Sequence, residues 1–207
     1  PGRFRRVTYT NLPAGTYTVA ITASDAEDDS SPAIGPVDLP LEGGMNYTAV
    51  AHLDASGAPT ANLFTNDTTA AGAGEGKATV RHTAANAEGV SILVNGSVDL
   101  GTFNNGGQLG PVPLPAGTYS AEIKAGDVTV PPTPADVPVT AGQNTIVYAW
   151  GDAADGRVEL AVQVVDLEAS GPVIVPATPV PTMGTIGLIA LITVMLGIGL
   201  LGVRRLV

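Results

Sequence analysis

The hexapeptide LPAGTY at residues 12–17 returns unchanged at residues 114–119, an offset of 102. Behind each copy, apolar and polar side chains alternate with the period of a half-buried β-strand, from Tyr17 to Ala23 and from Tyr119 to Ala125. A repeated motif followed by matching strand patterns indicates tandem copies of one β-domain. We expect the repeated residues to have structural roles: Leu12, Pro13, Gly15, Tyr17, Leu114, Pro115, Gly117 and Tyr119.

A second landmark shows where the copies differ. Asn46–Val50 aligns with Asn144–Tyr148, so the offset falls to 98 and the second copy lacks four residues. Ahead of its hexapeptide, at residues 78–100, the second copy has strand-like segments and an Asn-Gly pair typical of a hairpin. The first copy has no counterpart of this region, because Pro1 aligns with Phe103. We expect a C-terminal fragment whose truncated first repeat exposes a strand edge.

These patterns predict an all-β fold of tandem immunoglobulin-like β-sandwich repeats, with a small closed barrel as the alternative. About seven strands fit the complete copy. Its last strand predicts an inner face of Leu160, Val162 and Val164 and an outer face of Glu159, Ala161 and Gln163. The predicted order is a truncated repeat at 1–69, a linker at 70–76, a complete repeat at 77–167, a proline-rich stalk at 168–182, a transmembrane helix at 183–203 and a basic cytoplasmic tail at 204–207.

Composition limits the possible functions. With 26 Gly, 17 Pro and no Cys, the chain fits short strands joined by turns and can form neither a disulfide nor a thiolate metal site. The net charge is −10, and five of the nine Lys and Arg residues lie near the two ends, at 3–6 and 204–205. The surface between them would repel phosphate groups, so we expect no nucleic-acid partner.

The C-terminal segment has the pattern of a membrane anchor. Residues 183–203 carry no charge and are rich in Ile, Leu and Val, and as a helix they would span a hydrocarbon core of about 30 Å. Arg204 and Arg205 follow directly and indicate the cytoplasmic side, which predicts a single-pass protein with its N-terminal side outside. The prolines between Gly171 and Thr182 predict an extended spacer of roughly 40 Å.

The second copy resembles a bacterial domain family of unknown function whose members occur in tandem in exported surface proteins. The resemblance rests on Val80–His82, on Asn86 and Ala87, on the strand Val90–Val94 with its Asn-Gly end, and on the hexapeptide. The family pattern is Val-Arg-x-x-His-x-x-Pro-x-Ala, a strand ending in Asp-Gly, and Leu-Pro-Ala-Gly-x-Tyr. In this chain the histidine follows the arginine directly and the proline is absent. It implies immunoglobulin-like folds at residues 77–167 and, in part, at 1–69. His82 matches the family's histidine, and we expect its ring to be tied to loop backbone.

The C-terminus is similar to the sorting signal called IPTL-CTERM, which reads Ile-Pro-Thr-Leu-Ser-x-Trp-Gly-Leu and precedes an apolar helix and an Arg-Arg end. The residues that carry this resemblance are Val180, Pro181, Thr182, Met183, Gly187 and Leu188. It implies a sorting enzyme as a partner. The sequence leaves open whether the helix stays attached or is removed after sorting.

No catalytic constellation is recognisable in the sequence. His52 and His82 lie in different repeats, and neither is part of a nucleophile motif. One acidic run could supply oxygen ligands to calcium, but it lacks the spacing of a calcium loop, so we expect a solvated loop instead. Its residues are Asp25, Glu27, Asp28 and Asp29. We expect no enzyme, no cofactor and no metal.

The sequence therefore predicts a non-enzymatic bacterial cell-surface protein that displays β-sandwich repeats for structural or adhesive contact and is anchored or sorted through its C-terminal segment. One alternative is a carbohydrate- or peptide-binding module that presents an N-terminal enzyme domain. Another is an anchored subunit of a surface layer or fibre, assembled through strand edges. The expected partners are the membrane, the sorting enzyme and an extracellular protein or glycan.

Overall fold

The computed structural model describes residues 12–22, 28, 30–87, 89–125, 128–130 and 133–169. The chain divides into two compact units, residues 1–170 and 171–207, and every described residue lies in the first. The predicted transmembrane helix, the sorting motif, Arg204 and Arg205 lie outside the described residues, as does the stalk from residue 170 onwards. Within the described ranges, no helix has the length and apolar character needed to cross a membrane.

In its described residues, the first repeat forms two antiparallel hairpins. Strand β1 (Gly15–Ile21) pairs with β2 (Ile34–Leu41), and β3 (Asn46–Leu53) pairs with β4 (Pro59–Asn66). All elements of the described chain are strands, as the turn-rich composition predicts. The β3–β4 hairpin is joined by a turn in which the Asp54 carboxylate accepts hydrogen bonds from the backbone nitrogens of Ser56 and Ala58, and such capping favours a tight reversal.

The described residues of the second repeat form nine strands rather than about seven, because two short ones, β10 and β11, follow β9. The strands are β5 (Glu75–Ala85), β6 (Val90–Val94), β7 (Val98–Phe103), β8 (Gln108–Pro115), β9 (Gly117–Ala125), β10 (Val128–Thr129), β11 (Ala135–Val139), β12 (Gln143–Asp152) and β13 (Arg157–Asp166). The first of them begins two residues inside the predicted linker.

These nine strands form two sheets that pack face to face. One sheet has the order β13-β12-β5-β8, with β5 and β12 parallel, and the other has the order β7-β6-β9, with β10 and β11 both paired to β9. Val90, Ile92 and Ile123 of one sheet meet Ala149 of the other in a buried core. The second repeat is therefore a β-sandwich.

The Asn-Gly pair forms the predicted hairpin between β6 and β7. Asn95 and Gly96 both have positive φ, at 50° and 69°, and the backbone nitrogen of Ser97 donates to the carbonyl of Val94 at 3.2 Å. Two successive positive φ angles define a type I′ turn, whose twist matches that of the strands it joins. The hairpin prediction is confirmed.

The predicted alternation of the last strand is wrong in part. Leu160 packs towards the sandwich core, as predicted. However, Val162 and Val164 are 55% and 47% exposed, whereas Ala161 packs against a second core and Gln163 is half-buried. The prediction assumed that water covers the outer face of this sheet. The first repeat covers it instead and shields Ala161 and Gln163. Val162 and Val164 share the face of Leu160 and are exposed there.

Candidate functional site

The two repeats meet through a buried apolar cluster. Val50 and Phe64 of the first repeat pack against Ile146, Tyr148 and Val165 of the second. We call this contact, between the β3–β4 hairpin and the outer face of the β13-β12-β5-β8 sheet, the repeat interface. Burying a side chain of this kind contributes about 1.5–3 kcal/mol, so the cluster gives the repeats a substantial reason to stay together.

Corresponding elements of the two repeats face each other across the repeat interface. The β3–β4 hairpin comes after the first hexapeptide, and the β12–β13 hairpin comes after the second. The strand registers also correspond: Asn46 is paired with Asn66 in the first hairpin, and Asn144 is paired with Val165 in the second. Strand β12 is thereby covered on both faces. This explains why residues 144–149 are all buried and why the apolar run in β12, residues 146–150, is unbroken.

Arg81, on strand β5, lies in the middle of the repeat interface and is only 1% exposed. Its Nη1 donates to the Tyr148 hydroxyl at 2.7 Å, and its Nε donates to the side-chain oxygen of Gln108 at 3.1 Å. Across the interface its Nη2 donates to the side-chain oxygen of Asn66 at 2.7 Å. One guanidinium thus bonds both repeats, using the planar fork that distinguishes Arg from Lys.

Aromatic faces complete the surroundings of the buried charge. The guanidinium carbon of Arg81 lies 4.4 Å from the ring centre of Phe64 and 5.5 Å from that of Tyr148. Burial lowers the pKa of Arg81 and the neighbouring Tyr148 raises it, but a guanidinium remains charged in proteins. Ring faces stabilise such a cation, so the repeat interface holds a positive charge through neutral oxygens and π-systems.

A hydrogen-bond network extends from Arg81 and crosses the repeat interface a second time. The Tyr148 hydroxyl donates to the side-chain oxygen of Gln163 at 2.6 Å, and the Gln163 nitrogen donates to the Thr48 hydroxyl at 3.2 Å. The side-chain nitrogen of Asn66 also donates to Thr48, at 2.9 Å. Among the described residues, no buried side-chain polar atom lacks a partner. A fully paired network of this kind fixes one geometry.

The segment that joins the repeats is held at one end of the repeat interface by Lys77. Lys77 is only 7% exposed, and its ammonium lies 3.0 Å from the Asp67 carboxylate. The same ammonium donates to the carbonyl and to the hydroxyl of Thr69, at 2.8 and 2.7 Å. Burial raises the pKa of Asp67, but hydrogen bonds from Thr69 and Lys77 outweigh it and the pKa is lowered. The connection is therefore a fixed part of the interface.

At the opposite end, the loop between β7 and β8 contacts the tip of the β3–β4 hairpin. The side-chain nitrogen of Asn105 donates to the carbonyl of Leu53 in the first repeat at 3.0 Å and to that of Ala84 in the second at 2.7 Å. The repeat interface is thus held at both ends as well as at its centre.

The repeated hexapeptide makes the same contact in both repeats. The Tyr17 hydroxyl donates to the Pro13 carbonyl at 2.9 Å, and the Tyr119 hydroxyl donates to the Pro115 carbonyl at 2.9 Å. Each tyrosine reaches back over the glycine at the start of its strand. This contact accounts for the spacing between proline and tyrosine in LPAGTY.

The two histidines have different hydrogen-bond partners, and all of these are oxygen atoms of the protein. His82 is buried, its Nε2 bonds the carbonyl of Ala87, and its ring meets Phe103 edge-on with centres 5.8 Å apart. Burial lowers the pKa of His82 and favours the neutral ring. His52 contacts the carbonyl of Leu53 at 2.8 Å and the side-chain oxygen of Asn62 at 2.6 Å.

Of the acidic run, the structure describes Asp28 alone. Its carboxylate accepts hydrogen bonds from the hydroxyl and backbone nitrogen of Ser30 at 2.7 and 3.0 Å, and these hold the pKa of Asp28 below its usual value. Asp25, Glu27 and Asp29 lie outside the described residues. Within the part of the chain that is described, no group of three or more His, Cys, Asp or Glu side chains could hold a metal ion.

Comparison with known sequences gives the family. A profile described as "Domain of unknown function (DUF4397)" matches residues 4–93 and residues 79–172. The chain belongs to this family. The two DUF4397 matches overlap at residues 79–93, the segment that contains Arg81. No curated protein matches the chain.

Sequence reasoning missed the residues that surround Arg81 in this DUF4397 chain. Phe64, Asn66, Tyr148 and Gln163 come from three strands of two repeats, and no spacing rule connects them. One signal was present: the nearly unbroken apolar run of β12 is typical of a strand covered on both faces. This run indicates that another part of the protein packs on the outer face of β12, but it does not identify that part.

Proposed function

We propose that this chain is a non-enzymatic bacterial surface protein in which two DUF4397 repeats form one rigid body, displayed for structural or adhesive contact. The observation that carries the proposal is the position of Arg81, which bonds both repeats while fully buried. Contacts between domains of one chain are usually polar and mobile unless they are large and apolar. This contact combines an apolar cluster with directional hydrogen bonds, which restrict distance and angle together.

The proposal includes immunoglobulin-like folding of each repeat and attachment at the C-terminus. The face-to-face sheets of the second repeat support the first point. The uncharged residues 183–203, followed by Arg204 and Arg205, support a membrane anchor with the repeats outside. The likeness of Val180–Leu188 to a sorting signal supports recognition by a sorting enzyme. A rigid pair of domains on a tethered spacer would hold its outer surface at a distance from the membrane.

Surface display can be tested by labelling, because the natural chain has no cysteine. Ser97 is exposed in the β6–β7 turn, so a Ser97→Cys variant of the full chain, expressed in bacteria behind a signal peptide, provides one reactive thiol. We expect a membrane-impermeant maleimide to label it on intact cells. Labelling only after lysis would place the repeats inside and contradict the proposal.

Attachment is tested in the same strain. Deleting residues 183–207 should release the labelled protein into the medium or periplasm, whereas the full chain should stay with the membrane fraction. Thr193→Asp should weaken membrane retention, because a charge at the centre of a spanning helix costs about 3 kcal/mol, and Thr193→Val is the matched control that should not. Equal retention of both variants would argue against a spanning helix.

A further inference from the structure

The interior of the second repeat is not filled. A cavity of about 240 Å³ lies between its two sheets. Side chains from both sheets line it, among them Val80, Leu109 and Leu160 on one side and Ile92, Ala121 and Val137 on the other. Protein cores normally pack as densely as organic crystals and contain few voids larger than a water molecule. A cavity of this size is therefore unusual for a protein core and has room for a ligand.

The polar side chains of the lining are bonded within the protein or lie at its surface, where Asn95 is exposed in the β6–β7 turn. Apart from carbon side chains it contains four polar residues, and a side-chain polar atom of each is already bonded within the protein. Thr79, Asn95, Tyr119 and Thr133 are bonded to Asn144, Ser120, Pro115 and Val130, respectively. Because displacing these bonds would leave polar groups unpaired, the occupant must itself be apolar.

The cavity is broad and reaches the surface at one edge of the sandwich. Its lining extends across four neighbouring strands, β7, β6, β9 and β11, and three strand spacings amount to about 14 Å. At the β7 edge it reaches the surface, since Val98 both lines it and is 55% exposed. A ligand could enter there and leave a polar end in water.

We propose that this cavity binds a hydrocarbon chain, such as the acyl tail of a fatty acid or of a membrane lipid. An engineered apolar cavity of about 150 Å³ stays dry and binds benzene. The cavity of this repeat is larger and open at one edge, so an apolar tail fits inside while a polar end stays in water. Tyr119, Ala121 and Ile123, which the repeat pattern predicts on the inner face of β9, form part of the binding wall. The site is independent of the repeat interface, which lies on the other face of the sheet.

Photo-crosslinking of the full chain in phosphatidylcholine vesicles tests the proposal. One arm supplies a hexadecanoic acid with a diazirine in its chain, the other a phospholipid with the same diazirine acyl chain, and peptide mass spectrometry locates the adducts. We expect adducts on β7, β9 and β11. Labelling by the free acid alone would identify fatty acids as the source, and labelling by the phospholipid would identify membrane lipid. Adducts confined to residues 183–207 in both arms would overturn the proposal.

Two variants make the result specific. Ala121→Leu fills the cavity and should reduce the adducts on β7, β9 and β11 to background. The background is the labelling given by a diazirine butanoic acid, whose chain is short. Ala51→Leu, at an exposed strand position, is the control and should leave the adducts unchanged. If Ala121→Leu fails to fold, Val98→Asp decides, because a charge at the exposed opening should hinder entry without disturbing the core. Unchanged labelling in the folded variants would overturn the site.

Discussion

The Nη2 of Arg81 donates a hydrogen bond of 2.7 Å to the side-chain oxygen of Asn66, so that a central strand of the second repeat is bonded to the last strand of the first. The same guanidinium is bonded to Tyr148 and Gln108 within its own repeat. The positive charge is therefore satisfied only when both repeats are in place. This dependence links the packing of one repeat to that of the other.

Replacing Arg81 should destabilise the protein strongly. Arg81→Met keeps the apolar stem but leaves the oxygens of Asn66, Gln108 and Tyr148 without their donor, and we expect a loss of about 3 kcal/mol or more in the free energy of unfolding. Urea unfolding of the full chain in detergent micelles measures it. Arg157→Met is the control, since that side chain is 65% exposed and pairs with the exposed Asp155; it should change stability by less than about 0.5 kcal/mol. Similar losses in both variants would contradict the central role of Arg81.

Gly76 should tolerate no side chain. A Cβ at this position would collide with the carbonyl oxygen of Thr140 and lie 2.8 Å from that of Gln143, so we expect Gly76→Ala to cost about 2 kcal/mol or more through displacement of backbone. Gly117→Ala is the matched control, because its Cβ would meet only the Tyr119 ring at 3.9 Å. Thermal unfolding compares the two. An unchanged melting temperature for Gly76→Ala would show that the β11–β12 turn can move aside.

The local parts of this fold could be predicted from the sequence, and the contact between the repeats could not. The strands and the Asn95-Gly96 turn follow from alternation and from backbone preferences that act within a few residues. The shielding of Ala161 and Gln163 does not, because the cover on the outer face of β13 comes from a hairpin about a hundred residues away in the chain. Arg81 could be singled out by its family pattern, but its partners could not, since tertiary packing alone brings them together.

Stability should fall when the pH drops below about 6.5, because His82 is buried as the neutral ring. Burial, together with the charge of His52, lowers the pKa of His82 in the folded state below its ordinary value of 6.5. Below pH 6.5 the unfolded chain therefore binds a proton at this histidine more readily than the folded protein does. The free energy of unfolding then falls as the pH drops from 6.5 to the pKa of the folded state, by at most about 1.4 kcal/mol per pH unit. Urea midpoints between pH 7.5 and 5 measure the slope.

The variant His82→Gln identifies the source of this slope. It should be less stable at pH 7.5 but should show a flatter dependence on pH, since no imidazole remains to titrate at that position. An unchanged slope in His82→Gln would assign the pH dependence to another group.

The tyrosine of each hexapeptide should contribute equally in both repeats. Tyr17→Phe and Tyr119→Phe each remove one hydroxyl and its bond to a proline carbonyl while leaving the ring, and we expect each to cost about 1 kcal/mol. Each variant serves as the control for the other in urea unfolding of the full chain. A loss confined to one repeat would show that the shared motif has different roles in the two copies.

The meeting of corresponding hairpins has a consequence for assembly. A contact between equivalent surfaces is isologous: it closes on itself at two copies, whereas a head-to-tail contact can continue without limit. Once β3–β4 lies against β12–β13, neither hairpin can accept another partner on that face.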